Sequence, residues 1–298
     1  MKVGVVAPAS PVLTQETIDQ VRQKLEGLGY QVLLGETVKP HDGHLAGSDL
    51  ERRTDLERLW SDETVRAIWC LRGGYGCLRL LPSLYYRLFE QTPKILMGFS
   101  DITALEIGLW TRIKLVTFHG PVLTRLVNDA TGFSTQQAVS LLSGEKTEAE
   151  QPWPWPKDNL VTIKAGIARG ILLGGNLATL LSLVGTIYWP CLDGAILFLE
   201  EVGEVAYRVD RMLTQLILTG ALDSVSAVII GRCIPGDEEK EADLINMFRE
   251  RLSLMEVPSA YGFPFGHIDD QWTIPQGVLA EVDTGTGRLT LLESPFEH

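Results

Sequence analysis

The chain has 298 residues, 45% of them hydrophobic and 21% charged, which allows a sizeable buried core and excludes a disordered polymer. Its 26 basic and 38 acidic residues leave a formal net charge of −12, and with no Lys/Arg block this argues against nonspecific nucleic-acid binding. No run reaches the roughly 20 apolar residues of a membrane span.

The N-terminal MKVGVVAPAS is too short in apolar residues for a signal peptide, so the chain reads as mature from Met1 and cytoplasmic. Lys2 to Ala7 is then a first strand. Ile18, Val21, Leu25 and Leu28 follow at helical spacing from Thr14, with Gly29 as the stop. Gln31 to Val38 returns to strand, and Ser48 with Glu51 forms a capping box for the next helix. Val65 to Leu71 runs into the turn RGGYG, Arg72 to Gly76. Lys94 to Gly98 and Leu115 to Phe118 complete five strands that are apolar on both faces, the signature of a mostly parallel sheet covered on two sides.

Residues 144–159, GEKTEAEQPWPWPKDN, are polar and proline-rich, and read as a linker or long surface crossing with Trp153 and Trp155 against a domain face. Strands follow over Leu160 to Arg169, Ala195 to Leu199 and Val225 to Ile230. Helices are expected from Gly174-Gly175-Asn176 to Val184, over Tyr207 to Thr219, and within Asp237 to Leu254. The division is 1–145, linker 146–160, and 161–298: a Rossmann-like α/β domain followed by a smaller β-rich α/β domain.

Four cysteines, Cys70, Cys77, Cys191 and Cys233, keep no metal-ligand spacing, and a reducing compartment accounts for them without disulfides. Ser100, in MGFSDITAL, falls on the turn between the fourth strand and a helix. It is either an ordinary N-cap or a nucleophile held above the carboxyl edge of the sheet. The amide of Asp101 would be free to donate to an oxyanion there. The segment lacks the second glycine of G-x-S-x-G.

A serine nucleophile needs a base, and the chain has five histidines: His41, His44, His119, His267 and His298. His267, in GFPFGHIDD, is either a surface-loop residue bonded to Asp269 or Asp270 or a loop base at the mouth of a site. His119 competes for that role or lines the cleft. The carboxylate that orients such a base is Glu200, at the buried end of AILFLE, with Asp101 as the near alternative whose side chain better suits the helix start. The two glycines of RGGYG allow close approach of backbone amides to a ligand, yet match neither G-x-G-x-x-G nor a P-loop. His41 and His44 around Asp42 are a thin basis for a divalent-metal hydrolase.

VGVVAPAS, RGGYG, MGFSDITAL, TFHGP, GGNLATL, LFLEEVGE with YRVDRML, and GFPFGHIDDQWTIPQG occur in the order found in the LD-carboxypeptidase family, which the chain resembles over most of its length. That family comprises serine peptidases, including murein tetrapeptide carboxypeptidases and microcin immunity peptidases. The resemblance implies Ser100 as nucleophile, His267 as base and Glu200 as carboxylate, with oxyanion donors at the amides of Asp101 and Gly74. Glu201 stands where the family usually has aspartate. It further implies a site at the domain junction, release of terminal D-alanine from murein tetrapeptides in cell-wall recycling, no cofactor and no metal. The expected partner is a muropeptide, with no nucleic acid, no membrane and a homodimeric state. Arg72 is a candidate for the substrate carboxylate in an otherwise acidic protein. The alternatives are an immunity-type peptidase acting on peptidyl or aminoacyl nucleotides, and a non-catalytic ligand-binding protein.

Overall fold

The computed structural model describes residues 1–143, 160–236 and 240–296. The linker reading with Trp153 and Trp155, and His298, lie outside them.

The first half builds β1 (Lys2–Val6), α1 (Gln15–Gly27), β2 (Gln31–Leu34), α2 (Asp49–Ser61), β3 (Val65–Cys70), α3 (Tyr86–Gln91), β4 (Ile95–Gly98), α4 (Ile102–Ile113), β5 (Thr117–His119), α5 (Leu123–Val127) and α6 (Phe133–Leu142). Thr14 caps α1, and the Ser48–Glu51 capping box opens α2 as expected. Successive strand residues face opposite layers. Val3, Val5 and Trp69 join the core under α1, while Ile68 and Cys70 join the core that holds Leu56, Leu59 and Trp60 of α2.

The second half contributes β6 (Val161–Lys164), β7 (Ile167–Asn176), α7 (Leu177–Leu181), β8 (Ile196–Glu200), β9 (Val202–Glu204), α8 (Ala206–Leu218), β10 (Ala227–Gly231), β11 (Ile234–Pro235), α9 (Glu241–Leu252), β12 (Ser259–Phe263), β13 (Ile274–Gln276), β14 (Leu279–Asp283) and β15 (Arg288–Leu291). Gly174 and Gly175, read as the opening of a helix, instead end β7, and Asn176 caps the short α7.

The first sheet has the order β13-β5-β4-β3-β1-β2 and the second β15-β14-β7-β8-β10-β12-β6. The first is parallel except for β13, which pairs antiparallel with β5. In the second, β7, β8, β10 and β12 run parallel, and β6, β14 and β15 run against their neighbours. This is a two-domain α/β architecture with a β-rich second domain. Two ties hold the halves together near β4: β13 completes the first sheet, and Thr103 Oγ1 on α4 accepts from the Asn176 amide at 3.1 Å. Among the described residues, no helix is long and apolar enough to cross a membrane.

Candidate active site

β4 ends at Gly98 and α4 begins at Ile102, so the chain must turn within three residues. Ser100 takes up the turn at φ 65°, one of two non-glycine residues with positive φ among those described. A left-handed backbone costs such a residue about 1–2 kcal/mol, and its persistence here marks a position held by its surroundings. The hydroxyl caps nothing. The N-cap of α4 is Asp101, and no side chain caps it.

Asp101 differs from expectation. Its carboxylate does not serve the helix start but accepts from the amide of Cys77 at 2.8 Å, and burial raises its pKa. It thereby binds the Ser100 turn to the glycine turn. From the other side, the buried Arg52 donates to the carbonyl of Gly76 at 3.1 Å and to that of Pro8. Held in this way, Gly73 lies against Ser100: a Cβ there would stand 2.9 Å from the serine Cβ. Among the described residues, the amides of Gly74 and Asp101 donate to no protein acceptor.

Glu200 closes β8 and is fully buried. His267 Nδ1 lies 2.7 Å from its Oε2. Burial pushes the Glu200 carboxyl up, but the charge and bond of His267 and the charge of His119 outweigh it and leave the pKa below the ordinary value. An ionised carboxylate only accepts, so Nδ1 donates in this bond and Nε2 is the ring nitrogen that Glu200 does not engage. The surface-loop reading of His267 fails. Asp269 and Asp270 do not hold its ring; Asp270 bonds Thr131, and Asp269 lies 4.0 Å from Arg125. The loop is instead pinned by the first domain, through Arg125 to the His267 carbonyl at 3.3 Å and Ser134 Oγ to the Asp269 carbonyl at 2.7 Å. Gly266 is required for the approach. Its φ is 106°, and a Cβ would lie 2.8 Å from that of Glu200.

Glu201 has a separate duty. It accepts from Asn176 Nδ2 at 3.0 Å and from the amides of Ala178 and Val202 at 2.9 Å. Burial, then the neighbouring Glu200 charge, push its pKa up to about 7.

Ser100 and His267 line one cavity of about 270 Å³ with Arg72, Gly73, Gly74, Phe99, Val122, Thr124 and Arg125. No hydrogen bond joins Ser100 to His267 among the described residues; such bonds commonly tighten only with substrate present. Arg72 faces this cavity while one guanidinium nitrogen donates to the Pro11 carbonyl at 3.0 Å. Arg125 is a second cation there, unmarked in the sequence because α5 carries no motif. Asp101 does not line the cavity. His119, expected as rival base or cleft residue, is fully buried and faces Glu106 at 3.5 Å. Among the described residues, no cluster suited to a metal ion is present at His41 and His44 or elsewhere.

Residues 3–120 match the LD-carboxypeptidase N-terminal domain and residues 169–282 the LD-carboxypeptidase C-terminal domain. A "Probable murein peptide carboxypeptidase" of Bacillus subtilis is 35% identical over 287 residues, 95% of this chain and 88% of that protein. The murein tetrapeptide carboxypeptidase of Pseudomonas aeruginosa is 33% identical over 290 residues, 95% and 93% of the two chains. The solved muramoyltetrapeptide carboxypeptidase from Oxalobacter formigenes superposes with a TM-score of 0.83 at 29% identity, covering 98% of each chain.

Two structures of the microcin C7 self-immunity protein share the fold. One, in complex with adenosine monophosphate, has a TM-score of 0.90 at 23% identity, covering 98% of this chain and 96% of that one. The other, in complex with aspartyl sulfamoyl adenosine, has 0.89 at 24%, covering 99% and 96%. These complexes correct the expectation of a muropeptide partner with no nucleic-acid component, because proteins of this fold hold nucleotide-linked ligands. In this chain Arg72 and Arg125 line the cavity, and a guanidinium group offers a phosphate the same donors as a carboxylate. Both halves of the chain are matched and full-length relatives exceed 30% identity, so the chain is an enzyme belonging to the LD-carboxypeptidase family of serine hydrolases.

Proposed function

We propose that Ser100, His267 and Glu200 act as nucleophile, base and orienting carboxylate of a peptidase that cleaves an amide in short peptidyl or aminoacyl conjugates, nucleotide-linked ones included. The observation that supports this best is the buried Glu200–His267 bond at 2.7 Å, with the same imidazole lining a cavity with Ser100. In this reading His267 Nε2 takes the Ser100 proton as Oγ attacks the carbonyl carbon. The amides of Gly74 and Asp101 receive the oxyanion. The tetrahedral intermediate expels the amine with the proton from His267, and water then hydrolyses the acyl-enzyme by the reverse steps. Arg72 and Arg125 bind the anionic end of the substrate.

A second, narrower reading is release of terminal D-alanine from an L,D-tetrapeptide during cell-wall recycling. The names of the Bacillus subtilis and Pseudomonas aeruginosa relatives, 35% and 33% identical, favour it. A cytoplasmic setting fits four cysteines that stand free of disulfides.

Mass spectrometry of products, with kcat/KM, from an L,D-tetrapeptide, its L,L isomer and aspartyl sulfamoyl adenosine separates these readings. Hydrolysis of the adenylate analogue with kcat/KM at least equal to that of the tetrapeptide is expected, and a strong preference for the tetrapeptide would select the narrower reading. No product from any of them, or undiminished turnover by Ser100→Ala, would reject both.

A further inference from the structure

VGVVAPAS is one of the segments on which the family resemblance rests, yet the reaction proposed above uses no residue of it. The segment runs from β1 into a loop that carries Ser10, which is buried and lies outside the cavity. The Ser10 amide donates to the Gly73 carbonyl at 3.3 Å. Its Oγ donates to the His44 carbonyl at 2.7 Å and accepts from the Tyr75 amide at 3.1 Å. The hydroxyl proton is thus committed to His44, which leaves a lone pair for Tyr75.

These bonds bracket Gly74. The Gly73 carbonyl and the Gly74 N–H belong to one peptide unit, and the described chain has no cis peptide. In a trans unit the N–H points opposite the carbonyl. Holding that carbonyl on Ser10 therefore aims the Gly74 amide away from Ser10, and no protein acceptor takes it among the described residues. The bond from Tyr75 fixes the next peptide unit. Some such restraint is needed, because two successive glycines rotate freely and Gly74 sits at φ 113°, a conformation that favours glycine. A flipped peptide would present a carbonyl where the proposed mechanism calls for a donor. The fit is close as well, since a Cβ on Gly74 would stand 2.2 Å from Ser10 Oγ.

Two arginines tie the same segments further out. Arg52 bonds the carbonyls of Pro8 and Gly76, and Arg72 bonds that of Pro11 at 3.0 Å, but neither holds the peptide units that flank Gly74. We infer that Ser10 is a positioning residue that aims the Gly74 amide at the substrate oxyanion, an inference that rests on the roles proposed above for Ser100, His267 and Gly74. Ser10→Ala takes this partner from the Tyr75 amide and the His44 carbonyl and loosens the turn. The oxyanion draws on the amide more strongly than the ground-state carbonyl does, so the loss falls on kcat.

The test compares wild type with Ser10→Ala in kcat and KM for the L,D-tetrapeptide and for aspartyl sulfamoyl adenosine, and in the rate of Ser100 phosphonylation by a fluorophosphonate. Expressing kcat per Ser100 labelled at completion removes unfolded chains from the comparison. On the substrate that wild type turns over, kcat should fall about tenfold while KM stays within about twofold, a smaller loss than the roughly 100-fold cost of deleting an oxyanion donor outright. Phosphonylation should slow by a similar factor, because the phosphoryl oxygen takes the same amides. A labelling rate or a kcat per labelled site equal to that of wild type would overturn the inference and leave Ser10 a brace for stability alone. A KM that rises as far as kcat falls would also overturn it, since the whole cavity would then depend on Ser10. Wild type that hydrolyses neither substrate and is not labelled at Ser100 contradicts the nucleophile assignment itself, and the inference with it.

Discussion

At the scale of single residues, charge burial sets the chemistry. Glu200 and Glu201 are adjacent, buried and pushed in opposite directions, Glu200 below the ordinary carboxylate pKa and Glu201 up to about 7. For Glu201 the folded state binds the proton more tightly than the unfolded chain. Its stabilising contribution is therefore complete below the ordinary pKa of 4.5 and is lost as pH rises through 7, on the order of 3 kcal/mol in all. Relative to wild type, Glu201→Gln should gain unfolding free energy between pH 5 and pH 7.5 in urea titrations. A difference that is the same at both pH values would show that Glu201 is not held protonated. The sequence made Ser100 legible because strand, turn and helix signals meet on it, and Glu200 because a charge at the end of AILFLE needs a partner. Asp101 was misjudged since its partner, the Cys77 amide, arrives from a turn 24 residues away. Arg125 was missed because only the tertiary fold turns α5 toward the cavity.

At the scale of elements, turns carry the precision. The glycine turn and the loop before His267 allow backbone to pass where a side chain would collide. Gly266→Ala places a methyl group 2.8 Å from the Glu200 Cβ at a φ of 106°. It should cost about 1–3 kcal/mol of stability and lower kcat more than it alters KM, since it displaces the proposed base His267 rather than Arg72 or Arg125. Unfolding curves and steady-state kinetics check both, and an unchanged kcat would show that the loop tolerates the shift. Helices and parallel strands were readable from their apolar periodicity and caps. β13 was not: three residues, Ile274–Gln276, give no period, and Pro275 argues against strand except on an edge, which is where β13 sits.

At the scale of the whole molecule, the proposed function asks a chain of net charge −12 to bind an anionic substrate. Two guanidinium groups in one cavity solve this locally, and Arg125 also carries the His267 carbonyl. Arg125→Ala should raise KM for a peptide with a free terminal carboxylate by about tenfold, the worth of one charge-assisted hydrogen bond. The amidated peptide should change little. An equal loss on both peptides would assign Arg125 to the His267 loop alone. The sequence suggests a division by its change of character around residues 144–159, which lie outside the described residues, whereas the ties that join the halves, Thr103 to Asn176 and β13 to β5, depend on contacts between segments far apart in the chain.

The central claim is that Ser100 is a nucleophile activated by His267 and Glu200. Peptide mapping by mass spectrometry after fluorophosphonate treatment tests it most directly. One adduct on Ser100 is expected in wild type, absent from Ser100→Ala and strongly slowed in His267→Ala. An unmodified Ser100, or an adduct formed as fast without the imidazole, would contradict it.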